Sequence, residues 1–136
     1  RWPGKIAAGT VSSHPSGFYD FLPTACELAE VKPPIGIDGI SYLPTLFGRD
    51  DQQKSHEYLY CESLEGATSV GVRFGNWKLV KYRPTKGTKK TTQNESLWRL
   101  YDLSKDIGEK NDLSKKHPDV VQQIIKLLQR DGLDRS

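Results

Sequence analysis

The stretch that most restricts how this chain folds is residues 69–82, SVGVRFGNWKLVKY, where two alternating runs flank Gly75-Asn76. A two-residue loop that begins with glycine suits a tight hairpin, because that position accepts positive φ. Once the turn is placed, the register follows. Phe74 lies opposite Trp77, Val72 opposite Leu79 and Val70 opposite Lys81 on one face, while Arg73, Lys78, Gly71 and Val80 occupy the other. An apolar face backed by a mixed one is expected of an antiparallel sheet covered on one side only. The hairpin carries no evident catalytic group.

Further strands are expected on either side. Residues 56–63 (HEYLYCES) put Tyr58 and Tyr60 on one face and Leu59 and Cys61 on the other. Residues 96–103 (SLWRLYDL) alternate in the same way, with Trp98 and Leu100 together. Between the hairpin and that last strand, residues 83–95 carry Lys86, Lys89 and Lys90 among threonines and no large apolar side chain, which reads as a solvated hairpin tip. Pro118 suits a first helical position, and Val120, Val121, Ile124, Ile125, Leu127 and Leu128 form an apolar stripe that must lie on something. The sheet is the available surface. Residues 51–136 are therefore expected to form an α+β unit: a four-stranded antiparallel sheet packed by one C-terminal helix.

Residues 1–50 read differently. Trp2 and Ile6 around the Pro3-Gly4 break suggest a strand leaving a sheet. Phe21, Leu22, Ala25, Leu28 and Ala29 recur at helical spacing, and Pro23 is tolerated if the helix starts near residues 16–20, where early N–H groups lack partners anyway. Asp20 reads as a cap rather than a catalytic carboxylate. In the loop-rich stretch that follows, Ser41 is expected to cap a short turn that Gly48 ends, and Asp50-Asp51 to be a solvated turn rather than a metal site.

Bulk properties narrow the function classes. A net charge of +3 without a clustered patch gives no ground for nucleic-acid binding, and no run approaches the ~18 apolar residues needed to span a bilayer. Cys26 and Cys61 have no metal-type spacing, leaving either a disulfide or two free thiols. The absence of methionine suggests a fragment of a longer product.

Taken in order, the stretches RWPGKI, DFLPTACELA, DGISYLPTLFG, HEYLYCE, RFGNWKLV and LYDLSKDIGEKNDLSKKHPDVV make the chain resemble the C-terminal end of a type I (arylsulfatase-like) sulfatase. Together they run nearly end to end. One departure is Ile107, where the family often has proline in an Asp-Pro-x-Glu turn. The resemblance implies that residues 1–50 are the strand-and-helix tail of a large catalytic α/β domain, and that residues 51–136 are a small C-terminal subdomain.

It also implies an enzyme that hydrolyses aryl or carbohydrate sulfate esters with a formylglycine nucleophile and calcium. Neither cysteine here stands in the Cys-x-Pro/Ala-x-Arg context that becomes formylglycine, so no catalytic and no metal residue is carried over. The chain alone is expected to be inactive, with the rest of the sulfatase as its partner and an exported, periplasmic or secreted, parent. Truncation is expected to favour self-association through an uncovered strand edge. By resemblance the small subdomain walls the substrate cleft, which makes the loop at residues 62–68 the place to look. Glu62 and Ser63 are candidate hydroxyl ligands and His56 a weaker one. Each has a plainer reading, as a solvated strand end or a turn residue. Arg73 and Lys78 could attract an anionic substrate or simply solvate the open sheet face. The alternative is a stand-alone module that binds anionic polysaccharide through Lys86, Lys89 and Lys90.

Overall fold

In a computed structural model of the chain, which describes residues 2–63, 69–82 and 98–133, Gly75 has a φ of +57°. Asn76 is not among the residues of positive φ, the pattern of a type II′ turn, in which glycine stands first. The strands it joins, β2 (Ser69–Phe74) and β3 (Trp77–Tyr82), pair in the expected register, from Phe74 opposite Trp77 to Val70 opposite Lys81. With β1 (Leu59–Ser63) and β4 (Trp98–Asp102) they make a four-stranded antiparallel sheet in sequence order, β1-β2-β3-β4. The chain divides into two compact units, Arg1–Glu57 and Tyr58–Ser136, and the sheet belongs to the second.

Helix α3 (Pro118–Arg130) begins with proline in its first turn and covers the apolar face of the sheet. Val121, Ile124 and Leu128, spaced by three and four, pack against Val70, Val72, Leu79 and Leu100. Val72, Leu79, Leu100, Ile124 and Leu128 are fully buried. Each such side chain contributes roughly 1.5–3 kcal/mol through burial, so this layer is the main source of stability in the unit. Lys81, on the same face, places its ammonium 5.1 Å from the centre of the Trp98 ring. The helix end is tied to the start of β1: Tyr58 Oη donates to Asp131, whose carboxylate also accepts from Arg130 Nε at 2.8 Å and Nη2 at 2.9 Å.

The second sheet face is not the open surface expected. Gly71, Val80 and Tyr101 on that face are buried, and the chain after β4 turns back far enough for Glu109 to pair with Lys78. Part of the same stretch also closes the outer edge of β4. Leu113 N–H donates to Leu100 O at 2.8 Å, and Leu100 N–H donates to Asp112 Oδ1 at 3.2 Å, so a loop takes the place of a fifth strand. The turn at Ile107 holds without proline. Asp106 Oδ2 accepts from Asn111 N–H at 2.8 Å and Lys110 N–H at 2.9 Å, and these bonds lower the pKa of Asp106.

In the first unit the expected strand does not form. Lys5 N–H and Ile6 N–H both return to Trp2 O, at 3.1 and 2.9 Å, so residues 2–10 turn rather than extend, with Gly4 at φ +78°. A single 3₁₀ turn, Phe18–Asp20, leads into α1 (Phe21–Leu28). Pro23 lies in the first turn of α1, where its missing N–H costs no bond. The helix ends in a Schellman arrangement, Val31 N–H to Cys26 O at 2.9 Å, with Glu30 at φ +57° where glycine is usual. A short helix, α2 (Leu43–Leu46), follows, with Ser41 Oγ accepting Leu43 N–H at 3.2 Å and Gly48 at φ +69° past its end.

Two outcomes check the second unit. Ile124→Ala should lower its unfolding free energy by about 2–5 kcal/mol in urea titration, since it opens a cavity where α3 meets the sheet. Arg130 and Tyr58 hold the Asp131 pKa at about 2, well below the usual carboxylate range. A lowered folded-state pKa means the latch stabilises above the unfolded value of about 3.9 and fades as pH falls toward 2. The stability gap between wild type and Asp131→Asn should therefore be constant from neutral pH to about 5 and shrink steadily as pH falls toward about 2; a gap at pH 2 as large as that at neutral pH would show that the ionised latch is not its source.

Candidate functional site

Glu62 and Ser63, two of the three residues singled out in the sequence, do not share one surface. Glu62 and Ser63 both lie within β1 rather than on the loop that follows it. Neighbours on a strand point to opposite faces. Glu62 pairs with Val70, on the face that α3 covers, while Ser63 pairs with Ser69. Glu62 is half-buried and its Oε2 accepts a hydrogen bond from Tyr60 Oη at 3.2 Å; Ser63 is exposed. Residues 64–68 and Lys86, Lys89 and Lys90 lie outside the described residues.

His56 sits in a polar cluster of the first unit. Its Nε2 is 2.8 Å from Asp20 Oδ1, and its ring meets Tyr19 edge-on with centroids 5.5 Å apart. The Asp20 carboxylate is only 1% exposed, yet three groups satisfy it: His56, Ile40 N–H to Oδ1 at 2.8 Å, and Gly17 N–H to Oδ2 at 2.7 Å. Asp20 makes no side-chain bond as the N-cap of α1; its capping bond, from Gly17 N–H, closes the 3₁₀ turn before the helix. The other two reach 20 and 36 residues along the chain, and no local pattern announces them. Thr24, 2% exposed and one turn on, repeats the device: its hydroxyl donates to Asp20 O at 2.7 Å and accepts Tyr42 N–H at 3.0 Å. Gly39 permits the approach, because a Cβ there would stand 2.4 Å from Tyr19 O. Gln53 completes the frame, with Oε1 accepting from Thr45 and Nε2 donating to Ser41 O at 2.9 Å.

This cluster ties a helix start to two loops; it has no cysteine or serine nucleophile within it. Cys26 and Cys61 are free thiols, and Cys61 Sγ lies 3.5 Å from Gly71 O across the strand pair. Among the described residues no group of three or more histidine, cysteine, aspartate or glutamate side chains is arranged to hold a metal ion. Asp50 and Asp51 fall in an exposed 3₁₀ turn.

Comparison with known proteins gives a consistent picture. A family model described as N-sulphoglucosamine sulphohydrolase, C-terminal, matches residues 1–133. An N-acetylgalactosamine-6-O-sulfatase from Bacteroides thetaiotaomicron is 31% identical over 134 residues, which is 95% of this chain and 25% of that protein. A Delta 4,5-hexuronate-2-O-sulfatase from the same organism is 38% identical over 101 residues, 71% of this chain and 19% of that protein. A crystal structure of a Bacteroides thetaiotaomicron protein described as a sulfatase superposes with a TM-score of 0.63 at 34% identity, over 82% of this chain and 23% of that one. A protein solved with its substrate D-glucosamine-2-N,6-O-disulfate gives 0.70 over 96% of this chain and 26% of that one; at 24% identity, that likeness concerns the fold alone. The chain thus spans about a quarter or less of the length of these relatives.

The Asp20 cluster makes its own prediction. Asp20→Ala should strip three donors of their shared acceptor and destabilise the first unit by about 3 kcal/mol. Hydrogen exchange of the Gly17 and Ile40 amides reads this directly. Unchanged protection at both would show that the carboxylate does not hold the unit together.

Proposed function

The chain belongs to the N-sulphoglucosamine sulphohydrolase C-terminal family as the C-terminal part of a sulfatase, and from that premise we propose that the protein containing it hydrolyses sulfate esters. In that reaction water replaces the alcohol on sulfur, releasing sulfate and the free hydroxyl. The match of residues 1–133, nearly end to end, to proteins about four times longer carries this reading. The relatives' names mention hexosamine and hexuronate sulfates, so a sulfated carbohydrate is the favoured substrate, with aryl sulfates as surrogates.

Within that enzyme we assign this chain a supporting role. The sheet and α3 form a scaffold, and the end of β1 lines one wall of the substrate cleft. Glu62, at that end, accepts a hydrogen bond from a sugar hydroxyl; Ser63 faces the opposite side and contributes less. We assign His56 to structure, since its Nε2 is engaged by Asp20. Calcium and formylglycine, which the family resemblance implies, do not fit the residues described here, and we assign both to the rest of the polypeptide. Neither free thiol stands in the motif that becomes formylglycine.

Assays of the purified 136-residue chain and of the sulfatase polypeptide that contains it, on 4-methylumbelliferyl sulfate and 6-O-sulfated hexosamines, test this. Turnover is expected from the longer protein only. Calcium-dependent turnover by residues 1–136 alone would overturn the supporting role. In the longer protein, Glu62→Gln should raise KM roughly tenfold with kcat within about twofold, the loss of one charge-assisted hydrogen bond made equally in ground and transition states.

A further inference from the structure

The first unit holds a cleft whose polar side chains the fold does not use. Helix α1 turns Phe21 and Leu22 toward solvent, 61% and 47% exposed, and buries Pro23 and Thr24 against the loops. Glu27 follows Thr24 by three residues and Pro23 by four, so it shares the loop-facing side. Beside it lies a cleft of about 480 Å³, with Gly39, Ile40, Ser41, Gln52 and Lys54 on its other walls. That volume falls within the range of small-ligand sites. Glu27 and Lys54 line the same cleft, yet among the described residues neither side chain is ion-paired, with the other or with any third group. The Gln52 amide makes no hydrogen bond among them either. The Ser41 hydroxyl accepts Leu43 N–H and keeps its own proton to donate. The walls are nevertheless fixed. Ile40 N–H is held by Asp20, Gln53 bridges Thr45 to Ser41 O, and a Cβ at Gly39 would collide with Tyr19 O. A preformed site has little order to lose on binding.

We propose that this cleft binds a small zwitterion, with the ligand's ammonium group against the Glu27 carboxylate and its anionic group against the Lys54 ammonium. A purely anionic ligand would meet the carboxylate as well as the lysine, and a purely cationic one would meet the lysine as well as the carboxylate. Like charges set side by side are costly, so a molecule carrying both signs suits the two walls best. Ser41 offers a hydroxyl proton and Gln52 an amide, so hydroxyl groups between the ligand's two charges gain hydrogen bonds. An amino-bearing sugar acid and a hydroxylated amino acid share this chemistry. Glu27 and Lys54 are exposed, which keeps each ion pair weak and the affinity modest. The site goes beyond the sulfate-ester reading and does not depend on it.

The test titrates the sulfatase polypeptide that contains this chain, isotope-labelled at isoleucine, and follows by NMR the Ile40 amide, assigned through Ile40→Val. D-Glucosaminic acid and L-serine are the zwitterionic probes. D-Glucosamine carries the ammonium alone and D-gluconate the carboxylate alone. At least one zwitterion should move the Ile40 resonance with a Kd on the order of 1 mM. Both singly charged probes should bind about fivefold more weakly or worse. The tighter of the two zwitterions tells a sugar-derived ligand from an amino acid. Glu27→Gln and Lys54→Gln, both at exposed positions, should each weaken that zwitterion about fivefold while their urea midpoints stay at the wild-type value. No shift with either zwitterion up to roughly 20 mM would overturn the proposal. So would D-glucosamine or D-gluconate binding as tightly as the zwitterions, or variants that bind them as the wild type does.

Discussion

The second unit depends on one backbone constraint, the positive φ at Gly75. A side strand that slips by one residue turns every side chain to the wrong face. With the turn pinned, Val70, Val72 and Leu79 must share a face, and Leu100 joins them from β4. That face is wide enough for α3 and too apolar to be left in water. The helix seat is therefore a consequence of a turn some fifty residues before it.

The first unit obeys a different logic. Its organising element is a buried carboxylate rather than an apolar layer, and its helix shows water the side that would ordinarily be hidden. A buried ionisable group is poor value for stability alone, because desolvation offsets the gain from pairing. What Asp20 supplies is orientation: it decides which way α1 faces and where the loops at Ile40 and His56 begin.

Much of the second unit was legible in the sequence, because its signals are local. Gly75, the alternation around it, Pro118 and the α3 stripe each declare an element within a few residues. Two of its features were not. The burial of Val80 and Tyr101, and the cover over β4, come from chain that reads only as polar turns. The sequence leaves Glu62 and Ser63 at the join of a strand and a loop; within β1 they are neighbours whose side chains take opposite faces. In the first unit, periodicity revealed that Phe21, Leu22 and Leu28 share a face but not which way it points. That answer lay in contacts from Asp20 to Ile40 and His56, too far along the chain to leave a pattern. The expected strand at Trp2–Ile6 failed for a local reason, the turn at Gly4.

The loop at Asp112 and Leu113 gives the sheet a direction. By occupying the backbone groups of Leu100 it blocks the β4 side to an added strand. The residues after β4 are thus a stopper as well as a tether for α3. A shortened chain ending near residue 103 would lose its covering helix and bare the hydrogen-bonding edge of β4 in the same cut.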